Sequence, residues 1–158
     1  MTMTYYSTRD PAKRPVSLRE AVLSGLAPDG GLYVPERVPR LDPAWQEAGS
    51  LAEVAQVALT PWVDGELGEA ELRAIVQDAL DFPVPLVKLD DTLGVLELFH
   101  GPTLSFKDVG ARTMARLMNA FLRGSDETLT ILVATSGDTG SAVADGFAGQ
   151  ENIRVVLL

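Results

Sequence analysis

The chain has 158 residues, of which 46% are hydrophobic and 22% charged, and a net charge of −9. That length and balance suit a folded core of one ordinary domain or slightly more, and argue against long disordered stretches. The acidic excess speaks against nucleic acid and anionic membranes as partners, and the RDPAKRP arm from Arg9 to Pro15 is too short and mixed to reverse it.

There are no cysteines, which excludes disulfides, thiolate metal sites and cysteine nucleophiles. The single histidine, His100, excludes a multi-histidine metal site within one chain, and there is no G-x-S-x-G elbow for a serine triad. The opening MTMTYYSTRD lacks a basic-then-apolar signal pattern, and no apolar run approaches the roughly 20 residues that cross a bilayer. We therefore expect a soluble, cytoplasmic protein. A small anionic ligand held by local donors is compatible with the charge.

In chain order, VSLREAVLSG from Val16 to Gly25 opens with a capping box, Ser17 and Glu20, and closes on a glycine suited to ending a short helix. The turn residues Pro28, Asp29, Gly30 and Gly31 precede a short extended piece, LYVP. A second capping box, SLAE at Ser50, starts a helix with Leu51, Val54, Ala55, Ala58 and Leu59 at helical spacing; Pro61 is expected to stop it. A third helix is predicted over about Glu69 to Leu80, with Leu72, Ile75, Val76, Ala79 and Leu80 on one face. DFPVP, Asp81 to Pro85, is the best boundary, giving a helical unit over 1–82 and the start of a second domain over 83–158.

The texture then changes. Leu86 to Leu89 and Val95 to Phe99 read as a hairpin-like pair of strands, and a helix follows Ser105 with Val109, Met114, Leu117, Met118 and Phe121 inward, ending near Arg123-Gly124. TLTILVA, Thr128 to Ala134, is the near-continuous apolar run of a strand buried on both faces of a parallel sheet. TSGDTGS reads as a glycine-rich turn, SAVADGFAG as a short helix and IRVVLL as another buried strand. Strand, turn, helix, strand is a βαβ unit, so the fold class is α/β: a small N-terminal helical unit followed by the start of an open parallel sheet. The sheet reads as incomplete, and we expect the chain to be the front part of a longer protein.

Two stretches could carry chemistry. ATSGDTGSA places a glycine turn between a buried strand and a helix, where backbone N–H groups at the positive helix end suit phosphate or carboxylate. The same residues would serve equally as a tight turn whose Ser, Asp and Thr cap the helix. The stretch lacks both the G-x-G-x-x-G dinucleotide fingerprint and the lysine of a Walker loop.

The second stretch is FHGPTLSFKDVGAR, Phe99 to Arg112. Thr103 or Ser105 can cap the helix with Asp108 as acidic partner, which puts Lys107 in the first turn. A cation is misplaced there against the helix dipole, and the apolar neighbours Phe106 and Val109 also disfavour the ammonium form. An amine so placed is the better nucleophile or general base. The alternative is an ordinary surface lysine screened by Asp108. Of the three lysines, Lys13 lies in the N-terminal arm and Lys88 within a strand, so Lys107 alone sits beside a strand-end loop, where α/β sheets hold ligands. His100 either lines the same loop or is a polar residue at a strand end.

YYSTR with EAVLSGLAPDGGLYVPE, then LFHGPTLSFKDVGAR, then ATSGDTGSA together resemble the threonine synthase family, pyridoxal-phosphate enzymes of the tryptophan synthase β-like, fold type II group. The resemblance covers nearly the whole chain, least distinctively Leu41 to Pro83. It implies that Lys107 forms the internal aldimine with pyridoxal 5'-phosphate, with Phe106 and Asp138 beside the cofactor. It also implies that Thr135, Ser136, Gly137, Asp138, Thr139 and Gly140 receive the substrate carboxylate. The implied reaction converts O-phospho-L-homoserine and water to L-threonine and phosphate. The wider group often carries asparagine at the place of Asp138, whereas aspartate is common in threonine synthases. In this fold group the cofactor phosphate and pyridine nitrogen are held by later residues, so the 158 residues alone are expected to bind the cofactor weakly and not to turn over.

The rival enzymes, a threonine dehydratase or a cysteine synthase type, are disfavoured by APDGGLYVP and SGDTG. A catalytically silent, threonine synthase-like protein that binds a phosphate ligand is disfavoured by the presence of Lys107. Monomer and homodimer are both open.

Overall fold

The computed structural model describes residues 2–135 and 137–158. Within it the chain divides into two compact units, residues 1–49 with 53–74 and residues 50–52 with 75–158.

In the first unit, β1 (Tyr5–Ser7) pairs antiparallel with β2 (Tyr33–Pro35), with Tyr5 opposite Pro35 and Ser7 opposite Tyr33. The LYVP piece is thus a strand, and its partner Tyr5–Ser7 is too short to announce itself by periodicity. Helix α1 (Leu18–Ser24) has the expected cap: Ser17 Oγ accepts the Glu20 N–H at 3.0 Å, and Gly25 closes it with φ of 70°. The Leu18 N–H, free of any partner within the helix, donates to Glu66 Oε1 at 3.1 Å. Met3, Tyr5 and Ala21 form the centre of this unit's core, with Val16, Leu18, Tyr33 and Trp62 packed around them.

After a 3₁₀ turn at Pro43–Glu47, α2 runs Leu51–Val63 and α3 Glu69–Ala79. Pro61 does not stop α2, which continues two residues beyond it. Proline lacks an N–H, so near the helix end it costs only the bond to the Val57 carbonyl, a loss the last turn tolerates. The apolar face read from the sequence of α3 is buried, with Leu72, Val76 and Ala79 each at 1% exposure or less.

The second unit begins its sheet structure with a hairpin, β3 (Leu86–Lys88) antiparallel to β4 (Gly94–Leu96). Asp90 Oδ1 organises its turn by accepting from the Thr92 N–H, the Thr92 hydroxyl and the Leu93 N–H. Helix α4 spans Lys107–Leu122, and β5 (Leu129–Val133), α5 (Asp138–Phe147) and β6 (Ile153–Leu157) complete the βαβ unit, its strands parallel. Helix α4 packs along α5, and α5 against β6. Their approach is close at Gly146, where a Cβ would lie 3.0 Å from the Ala111 carbonyl carbon, so only a glycine avoids a backbone clash.

Three sequence expectations fail here, the first being that β6 is a buried strand: Val156 is 40% and Leu157 55% exposed. Met114 is 40% exposed; the inward face of α4 is instead Asp108, Arg112, Ala115, Leu117, Phe121 and Leu122, with Val109 and Met118 half-buried. The β5 strand is not buried on both faces: Val133 is buried but Leu132 is 66% exposed. Neighbouring residues of a strand point to opposite faces, so Leu132 stands on the face away from Val133, and among the described residues this sheet has only β5 and β6.

Candidate active site

Helix α4 starts at Lys107 itself, so the lysine stands in the first turn as expected. Phe106 is the capping position, but its side chain cannot cap; Ser105 Oγ takes that role by accepting the Lys107 N–H at 3.2 Å. Thr103 is no cap. Its N–H and its hydroxyl both donate to the carboxyl group of Asp108, at 2.9 and 2.5 Å. Asp108 is therefore turned away from the helix cap that the sequence suggests, and it lies fully buried.

The Lys107 side chain is 48% exposed, and its Nζ lies 4.0 Å from Asp138 Oδ2. Asp138 belongs to the first residues of α5, so SGDTG is only partly a turn: Asp138, Thr139 and Gly140 are already helical. The setting of the amine is thus half-open and carboxylate-facing rather than apolar.

At the start of α5, Gly137 is the capping residue in extended conformation, and among the described residues no side chain caps the helix. Its carbonyl accepts the Ser141 N–H at 3.2 Å, and its own N–H reaches Thr135 Oγ1 at 3.4 Å. Gly140 is sterically required, because a Cβ there would lie 2.2 Å from the Thr135 carbonyl oxygen. An uncapped helix start offers N–H groups and a positive dipole end to an anion. Ser136 lies outside the described residues.

The structure brings Lys107 and Asp138 together but gives His100 another partner: its Nε2 lies 2.6 Å from Glu97 Oε2, and its ring stacks at a tilt on Phe99. Phe106 is 61% exposed, open for contact with a ligand.

Residues 4–80 match the family described as threonine synthase N terminus. The chain is 47% identical over 157 residues to threonine synthase of Haemophilus influenzae, covering 99% of this chain and 36% of that protein. Among solved structures, the PLP-bound threonine synthase of Brucella melitensis superposes with a TM-score of 0.89 at 41% identity, over 99% of this chain and 35% of its own. Threonine synthase of Escherichia coli superposes with a TM-score of 0.85 at 36% identity, over 98% of this chain and 36% of its own. This chain resembles the N-terminal third of threonine synthases.

The chain spans about a third of the length of the threonine synthases it matches. What the sequence reading missed is how the FKD segment, Phe106 to Asp108, is held in place. Arg112, four residues beyond Asp108, donates to the Ala79 carbonyl at 2.6 Å, the Asp78 carbonyl at 2.8 Å and Asp81 Oδ1 at 2.9 Å, and reaches Asp145 Oδ2 at 3.5 Å. A cation on the last carbonyls of α3 is also favoured by that helix's dipole. Arg116 adds bonds to Asp78 Oδ2 at 2.6 Å and the Gly146 carbonyl at 2.9 Å. The available signal was the spacing: Asp108, Arg112, Ala115 and Arg116 fall at helical intervals on the face that carries apolar residues further along.

Proposed function

We propose that the protein of which these residues form a part converts O-phospho-L-homoserine and water to L-threonine and phosphate, using pyridoxal 5'-phosphate, as a cytoplasmic enzyme. Residues 1–82 would form its N-terminal unit and 83–158 the beginning of its catalytic domain. The observation that carries this reading is the Lys107 amine, half-open to solvent and facing Asp138 at the start of α5, in a chain that superposes on a PLP-bound threonine synthase. Among the described residues no helix is long and apolar enough to cross a membrane.

The residues present fit the cofactor. An accessible primary amine is what a pyridoxal aldehyde requires, and Phe106 and Asp138 flank it in the sequence motifs concerned. Bound pyridoxal phosphate supplies the electron sink for negative charge at the substrate α-carbon. The Lys107 amine would hold the cofactor and would also serve to hold or move a proton at the substrate's Cα and Cβ. The start of α5, with Thr135, Ser136, Gly137, Asp138, Thr139 and Gly140, receives the substrate carboxylate on N–H and hydroxyl donors. Asp138, 4.0 Å from Nζ, keeps the amine directed toward that end of the helix when it is charged. Loss of the γ-phosphate and addition of water at Cβ complete the reaction.

The test is borohydride reduction of the full-length protein with pyridoxal phosphate, followed by peptide mapping across Lys13, Lys88 and Lys107. Selective labelling of Lys107 together with phosphate release from O-phosphohomoserine is the expected result. Equal labelling of the three lysines, or none at Lys107, would overturn it in favour of a non-catalytic scaffold that binds a phosphate ligand.

A further inference from the structure

Asp108 is 0% exposed. A carboxyl group removed from water needs hydrogen-bond partners, or the burial is costly. Here they come from a single residue five positions back, the N–H and hydroxyl of Thr103. Gly101 passes so close that a Cβ there would lie 2.4 Å from Asp108 Oδ2, so the loop from Gly101 to Ser105 is folded directly onto this carboxyl group. At the loop's tip Leu104 adopts φ of 58°, the left-handed region that disfavours a branched side chain, and it is 74% exposed. Burial of Leu104 therefore does not hold the loop in this conformation; the bonds to Asp108 and the Leu104 N–H to Gly101 carbonyl bond of 3.0 Å do. The same loop ends on Ser105, whose hydroxyl receives the Lys107 N–H.

We infer that Asp108 is a positioning residue for Lys107. Through Thr103 it fixes the Gly101–Ser105 loop against the first turn of α4, and so sets where the Lys107 amine stands opposite Asp138. The inference rests on the reading of Lys107 as the cofactor-bearing lysine. It assigns no proton transfer to Asp108; the carboxyl group acts on the backbone that carries the amine. A displacement of about 1 Å at a reacting group can cost up to about 100-fold in rate, which is why such a clamp has consequences for chemistry.

The experiment uses the full-length protein with Asp108→Asn, Thr103→Val and Thr103→Ser. Asparagine turns one acceptor into a donor facing the Thr103 donors, valine removes the hydroxyl at near-constant volume, and serine keeps it. The first readout needs no substrate: the rate at which pyridoxal phosphate becomes reducibly attached to Lys107, followed by trapping and mapping. We expect a loss of about tenfold or more for Asp108→Asn, a smaller loss for Thr103→Val, and recovery of most of the rate in Thr103→Ser. The second readout is turnover, where kcat should fall while KM for O-phosphohomoserine changes little. Attachment at the unsubstituted rate in both Asp108→Asn and Thr103→Val, with only a lowered thermal midpoint, would overturn the inference and leave Asp108 a structural tie. If Asp108→Asn does not fold, Thr103→Val against Thr103→Ser decides. Failure of the unsubstituted protein to label at Lys107 is a different result, which removes the functional reading itself.

Discussion

In the N-terminal unit the carboxylates of Asp10 and Asp29 shape local turns: Asp10 accepts from Arg14 and the Ala12 N–H, and Asp29 from Ser7 and the Gly31 N–H. In the second unit Asp108 and Arg112 are buried, and the bonds of Arg112 reach residues more than 30 positions away. Asp29 and the Arg14 partner of Asp10 stay exposed, so these local bonds contribute little each, as exposed ion pairs do. Asp108 and Arg112 have exchanged water for fixed partners, so losing a partner leaves a buried polar group unmet. Charge in the first region punctuates the chain, whereas in the second it ties α4, which begins at Lys107, to the end of α3 and to α5.

The sharpest way to break this contrast is Arg112→Met. It keeps much of the side-chain volume but strips the Ala79 and Asp78 carbonyls of their donor, and should destabilise the chain by about 3 kcal/mol. Urea unfolding would measure it. Arg112→Lys should recover little, since an ammonium cannot reproduce the fork that reaches several acceptors at once. A loss below about 0.5 kcal/mol for Arg112→Met would place Arg112 with the surface pairs.

An intermediate effect is expected in the first unit from Ser17→Ala, which removes the hydroxyl that receives the Glu20 N–H. The cost should be about 1 kcal/mol in the same assay, with Ser17→Asp restoring it. A cost equal to that of Arg112→Met would erase the distinction between local caps and buried anchors.

The smallest effect concerns Asp10. Its bond from the Arg14 side chain, reinforced by the Arg14 and Ala12 N–H groups, holds its carboxyl down at about 2, against an ordinary 3.8. A folded-state value below the unfolded one contributes stability that is fully present above about pH 4 and is lost as the pH falls through the folded value. Asp10→Asn should therefore flatten part of the stability loss between about pH 4 and pH 2 and change little at pH 7 beyond the lost ion pair. Thermal midpoints of both proteins across that range would check it; an unchanged acid slope would show that Asp10 is not held as described.

Much of the fold was legible because it is local. Ser17 and Gly25 bracket α1 within one short stretch, the apolar face of α3 repeats at helical spacing, and Asp90 with Thr92 and Leu93 makes a tight turn. Of the expected site residues, Lys107 and Asp138 lie in motifs recognisable as written, and the structure places Nζ of the one 4.0 Å from Oδ2 of the other. It was not legible in its supports. Asp108 reads as a helix-capping acid from spacing alone, yet the loop folds back and takes it first. Met114 reads as core at helical spacing, yet Arg112 and Ala115 hold that side because their partners lie there.

The sequence by itself determined where the helices lie, the Ser17 and Gly25 ends of α1, the βαβ order and the family resemblance, since these depend on residues a few positions apart and on short motifs. Tertiary structure decided the pairing of Tyr5–Ser7 with Tyr33–Pro35, the burial of Asp108 and the partners of Arg112. The physical reason is that a buried polar group is stable only where distant backbone and side-chain groups meet it. No local pattern records which distant groups those will be.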